Sequence, residues 1–129
     1  MPKKRKRSTV VKQLDKVFSQ YIRLKYANLD GFVDCFTCGR SYHWKKIQCG
    51  HFMSRARYAT RWDEENCRPQ CYGCNVMQQG RQYEFAKGLD AESEGKADAM
   101  HVASLQTVKY QTWELEEMIV EYQDKLSKL

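Results

Sequence analysis

The chain has 129 residues, 42% of them hydrophobic and 29% charged, with a formal net charge of +6. That is one domain's worth, too small for two independent cores, and the composition suits a soluble globular protein. No run approaches the roughly 20 apolar residues of a membrane span, and no apolar stretch follows the basic start as a secretory signal requires. A reducing, cytoplasmic setting without membrane association is therefore expected.

Charge is uneven. Residues 1–25 hold nine Lys/Arg against the single Asp15, whereas residues 89–129 hold four Lys against nine Asp/Glu. Such asymmetry points to a polyanion partner met by the N-terminal half and the central site.

In chain order, Lys3, Lys4, Arg5, Lys6 and Arg7 form an uninterrupted basic run within an arm over 1–9. The run reads either as a solvated tail or as an arm that neutralises phosphates, which would make binding steeply salt-dependent. Ser8 and Thr9 are candidate helix caps. Val10, Leu14, Val17, Phe18, Tyr21 and Ile22 then recur at steps of three and four, so 10–28 is assigned to an amphipathic helix and the turn that ends it.

Phe32 to Phe36 reads as a short strand leading into Cys-x-x-Cys, and Gln48 to Met53 as a second strand. Arg55, Arg57 and Arg61, interleaved with Tyr58 and Trp62, either cover core surface with their stems or bind backbone phosphate. A helix is expected from Cys71 to about Lys87, closing a core over 29–88. The small, acidic, glycine-containing stretch that follows, Gly88 to Asp98, reads as a mobile linker, and the linker segment is set at 89–102. The segment 103–129 carries Leu105, Val108, Thr112, Leu115, Ile119, Tyr122, Leu126 and Leu129 at alternating steps of three and four. That heptad-like seam suits packing within one subunit or a homodimer.

Four of the six cysteines form two tight pairs, Cys35/Cys38 and Cys71/Cys74. A turn with that spacing aims two thiolates at one tetrahedral ion, so a structural zinc, one per chain, is expected in preference to disulfides. Four thiolates leave no open position, and any catalytic metal must bind elsewhere. Cys49 and Cys67 remain as buried core thiols or as competitors for the zinc. His51 lies between the knuckles, Asn66 five residues before Cys71, and Asn75 directly after Cys74. Together these spacings fit one small nuclease motif.

The pattern resembles the His-Asn-His, or ββα-metal, endonucleases in the variant whose last histidine is asparagine, as in phage endonuclease VII. The segments DCFTCGR, QCGHFMSR, ATRWDEEN and QCYGCN, with the late W-x-x-x-x-M and EYQDKL, more closely resemble the phage NinG (Rap) recombination family. Short strands around a zinc knuckle, followed by a helix and flanked by N-terminal and long C-terminal helices, give an α+β fold, mainly helical, and the resemblance implies a zinc-stabilised, treble-clef-like ββα-metal core within it. It also implies a metal-dependent endonuclease that cuts branched DNA such as Holliday junctions and D-loops, working beside other recombination proteins.

On that resemblance His51 would be the general base, Asn66 would brace it or its loop, and Asn75 would hold a catalytic Mg2+ or Mn2+. One position departs from the pattern. Endonuclease VII has a metal-binding aspartate before the base, and here that residue is Gly50. Asp63, Glu64 and Glu65, near Asn66 in sequence, are the candidate replacements, with Asp34 and Glu84 behind them. The alternatives in function are a non-catalytic zinc module for DNA binding or recruitment, and a general nuclease without branch preference.

Overall fold

The computed structural model describes residues 4–129. Lys3 and the first two residues of the arm lie outside the described residues. Helix α1 spans Arg7–Lys25, so the basic run enters the helix three residues before the expected start. Its N-cap is Lys6, without a side-chain cap bond, and Ser8 and Thr9 sit in the first turn instead of capping it. Val10, Leu14, Val17, Phe18 and Ile22 are all buried, as their three-and-four spacing dictates.

Strands β1 (Phe32–Asp34) and β2 (Ser41–His43) pair antiparallel, with Val33 opposite Tyr42. Between them the chain turns through Cys35 and Cys38: Gly39 N–H donates to the Cys35 carbonyl at 2.9 Å, with Gly39 at φ +77°. Strands β3 (Gln48–His51) and β4 (Cys67–Gln70) form a second antiparallel pair in which His51 faces Cys67 and Gly50 faces Arg68. A short helix α2 (Tyr58–Arg61) lies in the connection between them.

The segment after the second knuckle departs from the expected continuous helix. Gly73–Met77 form one π-helical turn, the chain passes through Gln79 and Arg81 at positive φ, and α3 runs from Gln82 to Glu92. The expected linker over 89–102 is mostly helical, comprising the end of α3 and α4 (Lys96–Ser104). Gly88, which reads as a loop residue, is inside α3 because the ring of Phe36 packs there. A Cβ at Gly88 would lie 2.6 Å from Phe36 Cζ. The break between α3 and α4 comes at Gly95, at φ +82°, where the Ala97 amide is held by Asp90 Oδ1 at 3.0 Å.

The last helix, α5, covers only Thr112–Ser127. Residues 105–111 are irregular, which cuts the expected 103–129 helix at its start. Leu115, Ile119 and Tyr122 are buried against α1, in one cluster with Leu14, Phe18 and Trp62. The centre of the heptad seam is thus used inside the chain, and Leu105 and Leu129 at its ends are exposed. Two smaller clusters support the rest: Val33 and Ile47 beside the cysteines, and Phe52, Phe85 and Leu89 under α3.

Candidate functional site

The two knuckles converge. The sulfurs of Cys35, Cys38, Cys71 and Cys74 all lie within 4.8 Å of one another. Cys38 Sγ and Cys71 Sγ are 3.8 Å apart, which is the edge expected of a tetrahedron with metal–sulfur bonds of about 2.3 Å. The Cys71 amide points at Cys35 Sγ from 3.3 Å, as it would at a thiolate. Burial pushes the Cys35 thiol up, yet the Cys71 amide, the Thr37 hydroxyl and nearby amides outweigh it and bring the thiol down to about 6. Geometry and donor chemistry both fit zinc, and this group can hold one ion with every position filled by protein.

Beside that centre, β3 presents His51 on the face that packs on α1. Its Nε2 lies 2.9 Å from the carbonyl oxygen of Arg61. A carbonyl only accepts, so Nε2 carries the proton and Nδ1 keeps the lone pair. Burial is the largest influence on the imidazole and lowers its pKa, an effect the Arg61 carbonyl opposes without reversing. The neutral ring is the form able to accept a proton.

Asn66 is fully buried, and its side-chain hydrogen bonds go to the backbone and not to the imidazole. Its Oδ1 accepts from the Met53 amide at 2.8 Å, while its Nδ2 donates to the carbonyls of Met53 and Thr60 at 3.1 and 3.0 Å. It therefore braces the loop that follows His51, whose far end supplies the Arg61 carbonyl. Asn75 donates from Nδ2 to Gln48 Oε1 at 2.8 Å, which leaves its amide oxygen as the atom to meet a cation.

His51 and Asn75 share the lining of a cleft of about 650 Å³ and of a second of about 460 Å³ beside it. Lys12, Lys16 and Arg23, spaced along α1 in steps of three and four with Ser19 between, also line the larger cleft, as does Arg55. The cleft is basic. Of these cations only Arg55 stood out in the sequence.

The carboxylate that reaches this cleft is Asp15, the one acid among the basic residues of the N-terminal segment. It was not among the candidates, although its isolation in a basic stretch was a signal. Its oxygens accept from Arg61 at 2.6 and 3.1 Å, from Arg55 at 2.9 Å and from Trp62 Nε1 at 2.9 Å. Burial raises the Asp15 pKa, but these partners together overcome it and hold the carboxyl below its ordinary value.

Asp63, Glu64 and Glu65 line a different cleft, with Tyr110, Tyr122 and Lys125. Glu64 is paired with Lys125 at 2.7 Å and Lys25 at 3.3 Å, and Glu65 with Lys96 at 2.8 Å. Asp63 caps its own short turn by accepting from the Glu65 amide. The fold gives all three work away from His51 and Asn75, so the proximity in sequence to Asn66 misleads.

Gly50 cannot be exchanged for the missing aspartate. Consecutive strand residues point to opposite faces, so position 50 faces away from His51. A Cβ there would overlap Gln70 Oε1 and lie 2.8 Å from its Cδ. Gln70 has little room to yield, being tied to Thr37 Oγ1 and the Gly80 carbonyl at 3.1 and 2.8 Å.

The arginines divide. Arg61 is 13% exposed in its side chain, is locked on Asp15 and lies over the Tyr58 and Trp62 rings at 5.5 and 5.2 Å. It is a packing residue. Arg55 is 60% exposed, and Arg57 is exposed as well. In the arm, Arg7 donates to the Tyr110 carbonyl, Arg5 meets Gln13 and Glu116, and Lys4 and Lys6 are exposed.

Fold and site together define a small α+β protein built on a four-cysteine centre capable of holding zinc, with a histidine-bearing basic cleft beside it. The family described as Bacteriophage Lambda NinG protein matches residues 2–129, and the chain belongs to that family. No curated protein and no solved structure matches it significantly. Among the described residues no helix is long and apolar enough to cross a membrane.

Proposed function

We propose that this protein is a metal-dependent DNA endonuclease of the His-Asn-His type, acting on branched DNA in the recombination of a phage from within the host cytoplasm. The observation that carries the proposal is the His51–Arg61 contact: with Nε2 2.9 Å from a carbonyl that can only accept, Nδ1 keeps the lone pair, on a ring that lines a basic cleft together with Asn75.

The oxygen donors at hand suit a hard divalent cation. Asn75 offers an amide oxygen, whereas both Asp15 oxygens are already bonded to arginine and Trp62. Mg2+ ordinarily keeps few protein ligands and fills the remainder with water and substrate phosphate. When bound, Mg2+ or Mn2+ would polarise the scissile phosphate and stabilise the leaving oxygen.

The chain's own residues do the rest. His51 Nδ1 takes the proton of the attacking water. Asn66 keeps the loop, and through it the Arg61 carbonyl, in place behind the ring. Lys12, Lys16, Arg23 and Arg55 seat the phosphates, with Lys4, Lys6 and Arg57 as outlying contacts. Asp15 positions Arg55 and Arg61. A homodimer would place two centres on opposing strands, but the α5 seam is mostly spent on α1, so its interface would have to lie elsewhere.

The test is cleavage of a four-way junction and a matched linear duplex with Mg2+ or Mn2+, by the wild type and by His51→Ala. Nicking of the junction by the wild type alone is expected, with DNA binding retained in the variant. Equal cutting by both proteins removes His51 from the mechanism. Salt-sensitive binding without cutting identifies a non-catalytic zinc module, and equal cutting of both substrates a general nuclease.

A further inference from the structure

Cys49 and Cys67 lie outside the four-cysteine centre, and the fold brings them to the same histidine. Cys49 and His51 are two apart on β3, so they leave the strand on one face. Cys67 is the antiparallel partner of His51 on β4 and shares that face. One ligand atom from each of the three lies within 4.8 Å of the others.

We propose that Cys49, His51 and Cys67 form a second metal site, for a thiophilic ion of the zinc class, separate from the four-cysteine ion. A tetrahedral set of two sulfurs and one nitrogen needs ligand atoms roughly 3.5 to 3.8 Å apart. Rotation of the Cys49 and Cys67 thiols closes the remaining gap, with the His51 ring left on the Arg61 carbonyl. Two thiolates offset the charge of a divalent ion, which removes most of the cost of hosting it in a half-buried place. Cys49 and His51 line both clefts, so the ion has an entry path and a solvent-facing fourth position.

Because Nε2 is bonded to the Arg61 carbonyl, Nδ1 is the His51 nitrogen left to take a metal. That is the lone pair the base needs. Occupancy of the second site therefore stops cutting, a consequence that rests on the nuclease proposal, whereas the site itself does not.

The decisive measurement is metal stoichiometry on the full chain kept reduced. With Zn2+ in excess, the wild type holds two ions per chain, and Cys49→Ser and Cys67→Ser hold one. Titration with Co2+ adds thiolate-to-cobalt absorption in a second equivalent for the wild type and not for Cys49→Ser. The half-buried Cys49 carries the decision, since replacing the fully buried Cys67 also disturbs the core. Wild-type saturation at one ion, or a second ion undiminished in Cys49→Ser, overturns the site. In a preparation that cuts DNA with one zinc bound, the second equivalent abolishes cutting; undiminished cutting overturns the inhibition. If no preparation cuts, the nuclease proposal fails and the stoichiometry still decides the site.

Discussion

His51 and Arg61 meet through a ring nitrogen and a backbone carbonyl oxygen 2.9 Å apart, and this contact sets which nitrogen of the imidazole remains basic. Its consequence is visible in pH. Burial lowers the His51 pKa from the ordinary 6.5, so the ring stays unprotonated into mildly acidic solution. The acid limb of the cleavage profile should bend below 6.5, measured as initial nicking rate against pH at fixed Mn2+. A bend above that value contradicts the buried, neutral base.

Asn66 completes three hydrogen bonds to the backbone of the loop after His51. Asn66→Ala strands one buried amide and two carbonyls, at a cost of about 2 to 4 kcal/mol. Urea unfolding should show the loss, and cutting should fall with it, since the Arg61 carbonyl is no longer held.

Asp15 holds Arg55, Arg61 and Trp62 at once, and its pKa lies below the ordinary 3.8. A lowered carboxylate contributes stability that is present above its unfolded value and lost as pH falls through the folded one. Asp15→Asn should therefore cost stability at pH 7, on the order of 2 kcal/mol. The difference from wild type should shrink toward pH 3, which urea titrations at the two pH values will read.

Gly50→Ala drives a Cβ into Gln70, and the overlap should destabilise the chain by about 1 to 3 kcal/mol. Gly50→Asp should do at least as much harm and confer no gain in Mg2+-dependent cutting, because the side chain leaves the wrong face of β3. Thermal melts of Gly50→Ala with and without Gln70→Ala test the cause: the second change should give back part of the loss.

Removal of zinc should unfold the knuckles, since few apolar residues besides Val33 and Ile47 support them. Binding energies of roughly 10 to 16 kcal/mol in small zinc domains are largely folding energy. A strong chelator should abolish cooperative melting followed by circular dichroism, and re-addition of Zn2+ should restore it. A chelated protein that melts unchanged would show the four cysteines to be ordinary core residues.

How much of this was legible in the sequence depends on the range of each interaction. The cysteine pairs Cys35/Cys38 and Cys71/Cys74, which converge into a group able to hold zinc, could be read because both pairs are local turns whose spacing aims their sulfurs. The buried face of α1 could be read because a helix repeats every three to four residues whatever it packs against. The helices over 89–102 cannot be read locally, since the glycine at 88 that suggests a loop instead serves the approach of Phe36, a residue far away in the chain, and α3 runs on past it.

The site divides in the same way. The residue types His51, Asn66 and Asn75 and their order were determined by the sequence itself, as was the absence of a side chain at Gly50. Only the tertiary structure decided that Asp15 enters the His51 cleft while Asp63, Glu64 and Glu65 turn to Lys125, Lys25 and Lys96 or cap a turn. Only it joined Cys49 and Cys67 to His51, through the register of β3 on β4. Strand register and helix docking are set by the packing of whole faces, and that information is spread over the chain, where no local spacing records it.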